Sequence, residues 1–151
     1  MRLVPVLLFV AVACGSAEEG SDPNASAALS IGTDSGTVSL IVQVADSPAE
    51  RQNGLMGRES LSPYDGMAFV WEEPLVTTFW MKDTLIPLSI AFWDAEGRII
   101  SILDMDPCTE DPCPSYGPGE PFVGAVEVAL GTFDRHGVAV GDLVGLTVSN
   151  G

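Results

Sequence analysis

From Thr37 the chain alternates apolar and polar positions. Val38, Leu40, Val42 and Val44 share one parity, and Ser39, Ile41, Gln43 and Ala45 the other, the period-2 pattern of a strand with one buried face. Ser47-Pro48-Ala49-Glu50 follows. Ser as N-cap, Pro at the first helical position and Glu at the third make a capping box. The pattern predicts a helix to about Met56, ended by Gly57, with Gly54 as its weak point. Short apolar runs come next: Met67–Trp71, Val76–Met81, Leu88–Trp93, Ile99–Asp104 and Phe122–Leu130. Turn residues separate them, and Asp94-Ala95-Glu96-Gly97 reads as a hairpin between two runs. A helical turn over Thr132–His136 stops at Gly137, and Val140-Gly141-Asp142 leads into a last strand, Leu143–Val148. About seven short strands with one or two short helices predict a mainly β (β-rich α+β) domain, a small antiparallel barrel or sandwich.

The pattern before Thr37 is different. Leu3 to Ala13 is apolar apart from Pro5 and follows a single cation, Arg2. As a helix that stretch rises only about 17 Å, short of the roughly 30 Å hydrocarbon core. Its length and flanks fit a signal peptide over residues 1–13. Ala11-Val12-Ala13-Cys14 resembles the lipobox of bacterial lipoproteins, which implies that the Cys14 thiol is acylated and Cys14 becomes the mature N-terminus. Gly15 to Gly36 is rich in Gly, Ser, Ala and acidic residues and is expected to be a flexible tether, because it has too little apolar surface to offset ordering. The expected organisation is a signal over 1–13, lipidated Cys14 and tether over 14–36, and one β-rich domain over 37–151. The partner so implied is a membrane, reached through the Cys14 anchor. The expected location is extracytoplasmic, on the cell membrane or the outer membrane, with Gly15 after the cysteine tilting towards the outer one.

Charge narrows the classes of partner. The chain carries 6 Lys and Arg against 21 Asp and Glu, a net −15; loss of residues 1–13 removes Arg2 as well. Such a chain repels nucleic acid phosphates and gains nothing from anionic lipid headgroups, so no nucleic acid partner is expected. An outward-facing domain, a cation-rich milieu and a saline habitat all fit this acidity.

Cysteine and metal chemistry follow from the compartment. Once Cys14 is lipidated, Cys108 and Cys113 remain, and in an oxidising environment this pair reads as a disulfide, stiffened by Pro107, Pro112 and Pro114. A metal would need further ligands, and His136 is the sole histidine. Asp104, Asp106, Glu110 and Asp111 surround the loop, but Thr109 and Ser115 stand where a calcium loop wants Gly and Glu, so a solvated acidic loop is expected. Met56, Met67, Met81 and Met105 are dispersed and read as core. No metal and no cofactor are expected.

Three blocks occur together: Gly54-Leu55-Met56-Gly57-Arg58, Phe79-Trp80-Met81-Lys82-Asp83-Thr84-Leu85-Ile86-Pro87-Leu88, and Val140-Gly141-Asp142 behind His136-Gly137. With Pro107-Cys108 to Pro114-Ser115-Tyr116, they resemble the "domain of unknown function 192" family over nearly all of residues 38–149. The resemblance implies a compact β-rich domain, often exported, with no established activity or cofactor. Asp83 stands where that family usually shows Asn, and Ser89 where it often shows Asp.

The residues offering chemistry are few. Trp80 and Lys82 fall on one side of a strand and Met81 and Asp83 on the other. A Trp beside a cation suits a sugar ring or a carboxylate, and Arg58 is a second cation nearby in sequence pattern. Glu127 interrupts an apolar strand; it is either edge-exposed or buried with a partner such as Arg58 or Lys82. With one histidine and no nucleophile elbow, zincin or phosphate-loop motif, no catalytic residue is assigned. Arg58, Trp80, Lys82, Asp83 and Glu127 are the candidate ligand-binding residues. The expectation is an envelope-tethered binding or accessory module for a small anionic or glycan-like ligand or an envelope protein. The alternative is a cofactor-free hydrolase or lyase on envelope carbohydrate, using Glu127 or Asp83.

Overall fold

The computed structural model describes residues 25–149. The expected signal peptide, Cys14 and the first part of the tether lie outside the described residues. Nine strands and two short helices follow in the order β1 (Ser26–Thr33), β2 (Gly36–Ala45), α1 (Pro48–Asn53), β3 (Gly66–Leu75), β4 (Phe79–Trp80), β5 (Leu88–Trp93), β6 (Ile99–Met105), β7 (Ser115–Tyr116), β8 (Phe122–Ala129), α2 (Thr132–His136) and β9 (Leu143–Ser149). The fold is mainly β. Seven strands form one sheet in the order β6-β5-β8-β3-β2-β1-β9, and β4 and β7 form a separate pair. All pairings are antiparallel except β2 with β3. Edge strands β6 and β9 approach at one end, where Arg98 bridges Leu143 and Val144 N–H donates to the Gly97 carbonyl at 2.7 Å. The sheet as a whole is not closed.

One correction concerns the tether. Residues 26–33, expected to be flexible, form β1, paired along its length with both β2 and β9. Ala27, Leu29 and Ile31 are fully buried. Their period-2 spacing lies within a Gly- and Ser-rich stretch, and two flanking strands satisfy the backbone groups that so few large side chains could not order alone.

Strands β5 and β8 and the first residues of β3, Gly66 to Phe69, are buried on both faces. Ala68, Ala91, Val126 and Val128 join a cluster with the inner residues of β1 and β2, capped by Phe133 of α2. Met67, Phe69, Leu88, Ile90, Phe92 and Ala125 join a second cluster on the other face. Double-sided burial explains why these strands read as continuous apolar runs while β2 alternates. The second cluster is covered by Leu55 and Leu61 of the chain after α1 and by the β4–β7 pair.

Local chemistry shapes this covering layer. The Ser47 hydroxyl accepts from Glu50 N–H, and the Glu50 carboxylate accepts from Ser47 N–H at 3.0 Å, the reciprocal capping box. Hydrogen bonds from Ser47 hold the Glu50 carboxyl below its ordinary range. The helix ends at Asn53, earlier than Met56, because Gly54 adopts φ 47° and ψ −129°, a region that glycine enters without strain. That turn drops Leu55 into the second cluster, and Gly57 N–H donates to the Asp83 carbonyl at 2.9 Å. The run Val76–Met81 is likewise strand over Phe79–Trp80 alone. Cys108 and Cys113 form a disulfide, and Cys108 bridges the backbone of Lys82 and Thr84, tying the loop to the chain beyond β4.

Candidate functional site

The covering layer leaves a cleft of about 360 Å³ between α1, the chain from Thr77 to Trp80, and the sheet beneath. Phe69, Trp71, Leu75, Phe79 and Trp80 give it apolar and aromatic walls; Gln52, Asn53, Thr77, Thr78 and Thr84 add uncharged polar groups; Arg51 and Glu127 supply the charges. Few polar groups set in an apolar, concave surface is the usual composition of a small-ligand site.

The aromatic walls are fixed from below. Phe79 meets Phe69 edge-to-face at 4.9 Å and Phe92 at 5.6 Å, and Trp71 meets Phe122 at 5.4 Å. With Phe79 anchored, strand alternation turns Trp80 outward, where it is 53% exposed. The Arg51 guanidinium lies 5.1 Å from the Trp71 ring centroid and donates to the carbonyls of Val70, at 2.9 Å, and Asp46. Stacking and two backbone acceptors hold this cation at the rim.

Glu127 reaches the cleft from the sheet. Its cross-strand neighbours are Met67 on β3 and Ile90 on β5, both buried. The residue is 4% exposed. Burial alone raises its pKa from 4.5 to about 8, with no charge or hydrogen bond offsetting it. At neutral pH the carboxyl is therefore mainly protonated and presents an O–H donor and a carbonyl acceptor.

The other candidates lie elsewhere. Lys82 pairs with Asp111, Nζ to Oδ2 at 2.9 Å, rather than with Glu127, and this hydrogen bond raises the lysine pKa. No ion pair joins Arg58 to Glu127 among the described residues. Neither Lys82, Arg58 nor Asp83 lines the cleft. Asp83 has φ 52°, the left-handed region that Asn and Asp tolerate best; its N–H donates to Cys108 and its carbonyl accepts from Gly57. Its role is to turn the backbone, which an aspartate performs as well as an asparagine. Ser89 is buried, donates to Asp104 at 2.6 Å and accepts from Gly131 N–H at 2.9 Å, so its hydroxyl joins β5, β6 and the start of α2. Of the expected site residues, the cleft brings together Trp80 and Glu127. Arg51, Trp71 and the Thr77-Thr78 pair also line the cleft, outside the residues expected from the sequence. Arg51 in the last turn of a capped helix was the one available signal. Among the described residues no group of three or more His, Cys, Asp or Glu could hold a metal ion.

Comparison with known proteins places this geometry in a family. A Sinorhizobium meliloti protein, described provisionally as a transcription regulator, superposes with a TM-score of 0.75 at 32% identity, covering 84% of this chain and 98% of its own. A Novosphingobium aromaticivorans protein of unknown function gives a TM-score of 0.72 at 30% identity, covering 78% of this chain and 83% of its own. No curated protein matches. The sequence profile of DUF192, described as an uncharacterized ACR, matches residues 30–146. The chain belongs to the DUF192 family.

Proposed function

We propose that this domain is a binding module for a small, ring-bearing polar ligand of the glycan type, held at the outer face of a membrane by lipidated Cys14. The observation that carries the reading is the aromatic cleft with a buried, unpaired Glu127 carboxyl at its sheet side. Exposed Trp80 offers a face for an apolar ring surface, and the threonine hydroxyls and the Gln52 and Asn53 amides line the same space. An anionic ligand is less well served, because Lys82 is neutralised by Asp111 and lies outside the cleft. The regulator description of the Sinorhizobium relative does not transfer to nucleic acid binding here, since 21 acidic residues face 6 basic ones.

The enzymatic alternative, a hydrolase or lyase on envelope carbohydrate, would use Glu127 as a general acid. Glycoside hydrolysis ordinarily needs two carboxyl groups flanking the scissile bond. Glu127 is the sole carboxyl among the described residues lining the cleft, so binding is better supported. Calorimetric titration with envelope glycan fragments tests the reading. Trp80→Ala should weaken binding by about 1–2 kcal/mol and leave the melting curve unchanged. Undiminished affinity in that variant would refute it. The anchor is tested by fractionation, where Cys14→Ser should release the protein from membranes; continued membrane partitioning would contradict it.

A further inference from the structure

We propose that the cleft receives an organic ammonium group, its charge compensated by Glu127 and its methyl or methylene surface packed against the aromatic walls. This rests on the binding reading above and names the chemistry of the ligand's distinguishing group.

The starting point is a carboxyl without a structural use. Glu127 sits between Met67 and Ile90, where an apolar side chain would complete the second cluster. Burying a carboxyl there is costly unless a partner arrives. Among the described residues no cationic nitrogen lies within 4.0 Å of it. The strand thus keeps an expensive group that makes no ion pair, and the group opens onto a cavity. A cation brought by a ligand would supply the missing partner.

The walls suit the same cation. Trp71, Phe79 and Trp80 line the cleft, and the electron-rich faces of such rings attract ammonium groups, most strongly where water is excluded. The protein provides its own precedent in Arg51, which lies over the Trp71 ring. The net charge of −15 favours approach of a cation and opposes that of an anion.

The charged surroundings of Glu127 are simple. Its neighbours on β3 and β5 are Met67 and Ile90, and β4 contributes only Phe79 and Trp80. From α1, Arg51 shares the cleft, but it is more than 4.0 Å from the carboxyl and donates to the Asp46 and Val70 carbonyls. No other charged side chain lines the cleft among the described residues. Burial lets the carboxyl keep its proton up to about pH 8. A permanent cation binds best to the ionised form, so binding releases a proton. Affinity should rise about tenfold per pH unit below pH 8 and level off above it.

The test compares choline, permanently charged, with its neutral isostere 3,3-dimethylbutan-1-ol, using tryptophan fluorescence and calorimetry on the full-length protein. Choline should bind at least about tenfold more tightly than the isostere near pH 8, with that advantage shrinking on acidification towards the smaller preference that the rings supply. Glu127→Gln should abolish the pH slope and cut the charge preference to the smaller part that the aromatic rings supply. Should that variant fail to fold, the ratio and slope in the parent protein still decide the matter. Equal affinity for the two probes, a flat pH profile or no choline binding would each overturn the ammonium assignment. Glycan titration of Trp80→Ala judges the cleft separately, so loss of one reading is distinguishable from loss of the other.

Discussion

Replacing Glu127 by glutamine removes one titration while preserving side-chain shape, and its effect on stability can be worked out from the structure. In the unfolded chain this carboxyl ionises near 4.5; in the folded protein burial raises it to about 8. Between those values the folded state binds the extra proton, so stability falls as pH rises. The slope approaches about 1.4 kcal/mol per pH unit. Over pH 5 to 8 the loss attributable to Glu127 is about 3–4 kcal/mol, with little further change above pH 8. Glutamine has no such slope. The variant should match the parent most nearly near pH 4 to 5 and become progressively more stable than it towards pH 8. For a domain of this size the gap corresponds to about 10 °C in melting temperature. Urea denaturation of both proteins from pH 5 to 9 measures it, and taking the difference removes the background from the other acidic residues. Parallel stability curves would refute the assignment of an unpaired, buried Glu127. A parent that gains on the variant with rising pH would show that the carboxyl is ionised and paired.

Other substitutions probe the frame around the cleft. Lys82→Ala should barely move the melting curve, because its partner Asp111 is 68% exposed and surface pairs contribute little; a large loss would show that the pair holds the covering layer in place. Gly124→Ala would drive a methyl group into the Trp93 indole, which is buried, and should cost about 1–3 kcal/mol in urea denaturation; an unchanged midpoint would contradict the packing. Cys108→Ser should lower stability by about 2 kcal/mol through the released loop, read by non-reducing denaturation against the parent.

Strands with a clear period or a continuous apolar run were legible in the sequence. The Leu88–Trp93 strand is found with those bounds, and the capping box and the Thr132–His136 turn are found as read. What escaped was structure supplied by tertiary pairing. β1 depends on β2 and β9 for its order, and β7 is two residues long, paired with β4. The site was half legible for the same reason. Trp80 and Glu127 stood out because each breaks a local pattern. Lys82 and Arg58 stood out only as rare cations, and rarity does not determine direction: Lys82 lies past the end of β4 and turns to Asp111. Arg51 and Trp71 meet across α1 and β3, a contact that sequence spacing does not reveal. The expected partner for Glu127 was a cation of the chain, and the structure offers a cavity there instead.

Chemical-shift mapping of the isotopically labelled protein during titration with envelope glycan fragments and choline tests most directly where a ligand binds. Binding in the cleft should shift the Trp71 and Trp80 indole N–H groups and the amides of Gln52 to Leu55, with Lys82, Asp111 and Arg58 unmoved. Shifts centred on Lys82, Asp111 or Arg58, with the indole groups unchanged, would contradict it.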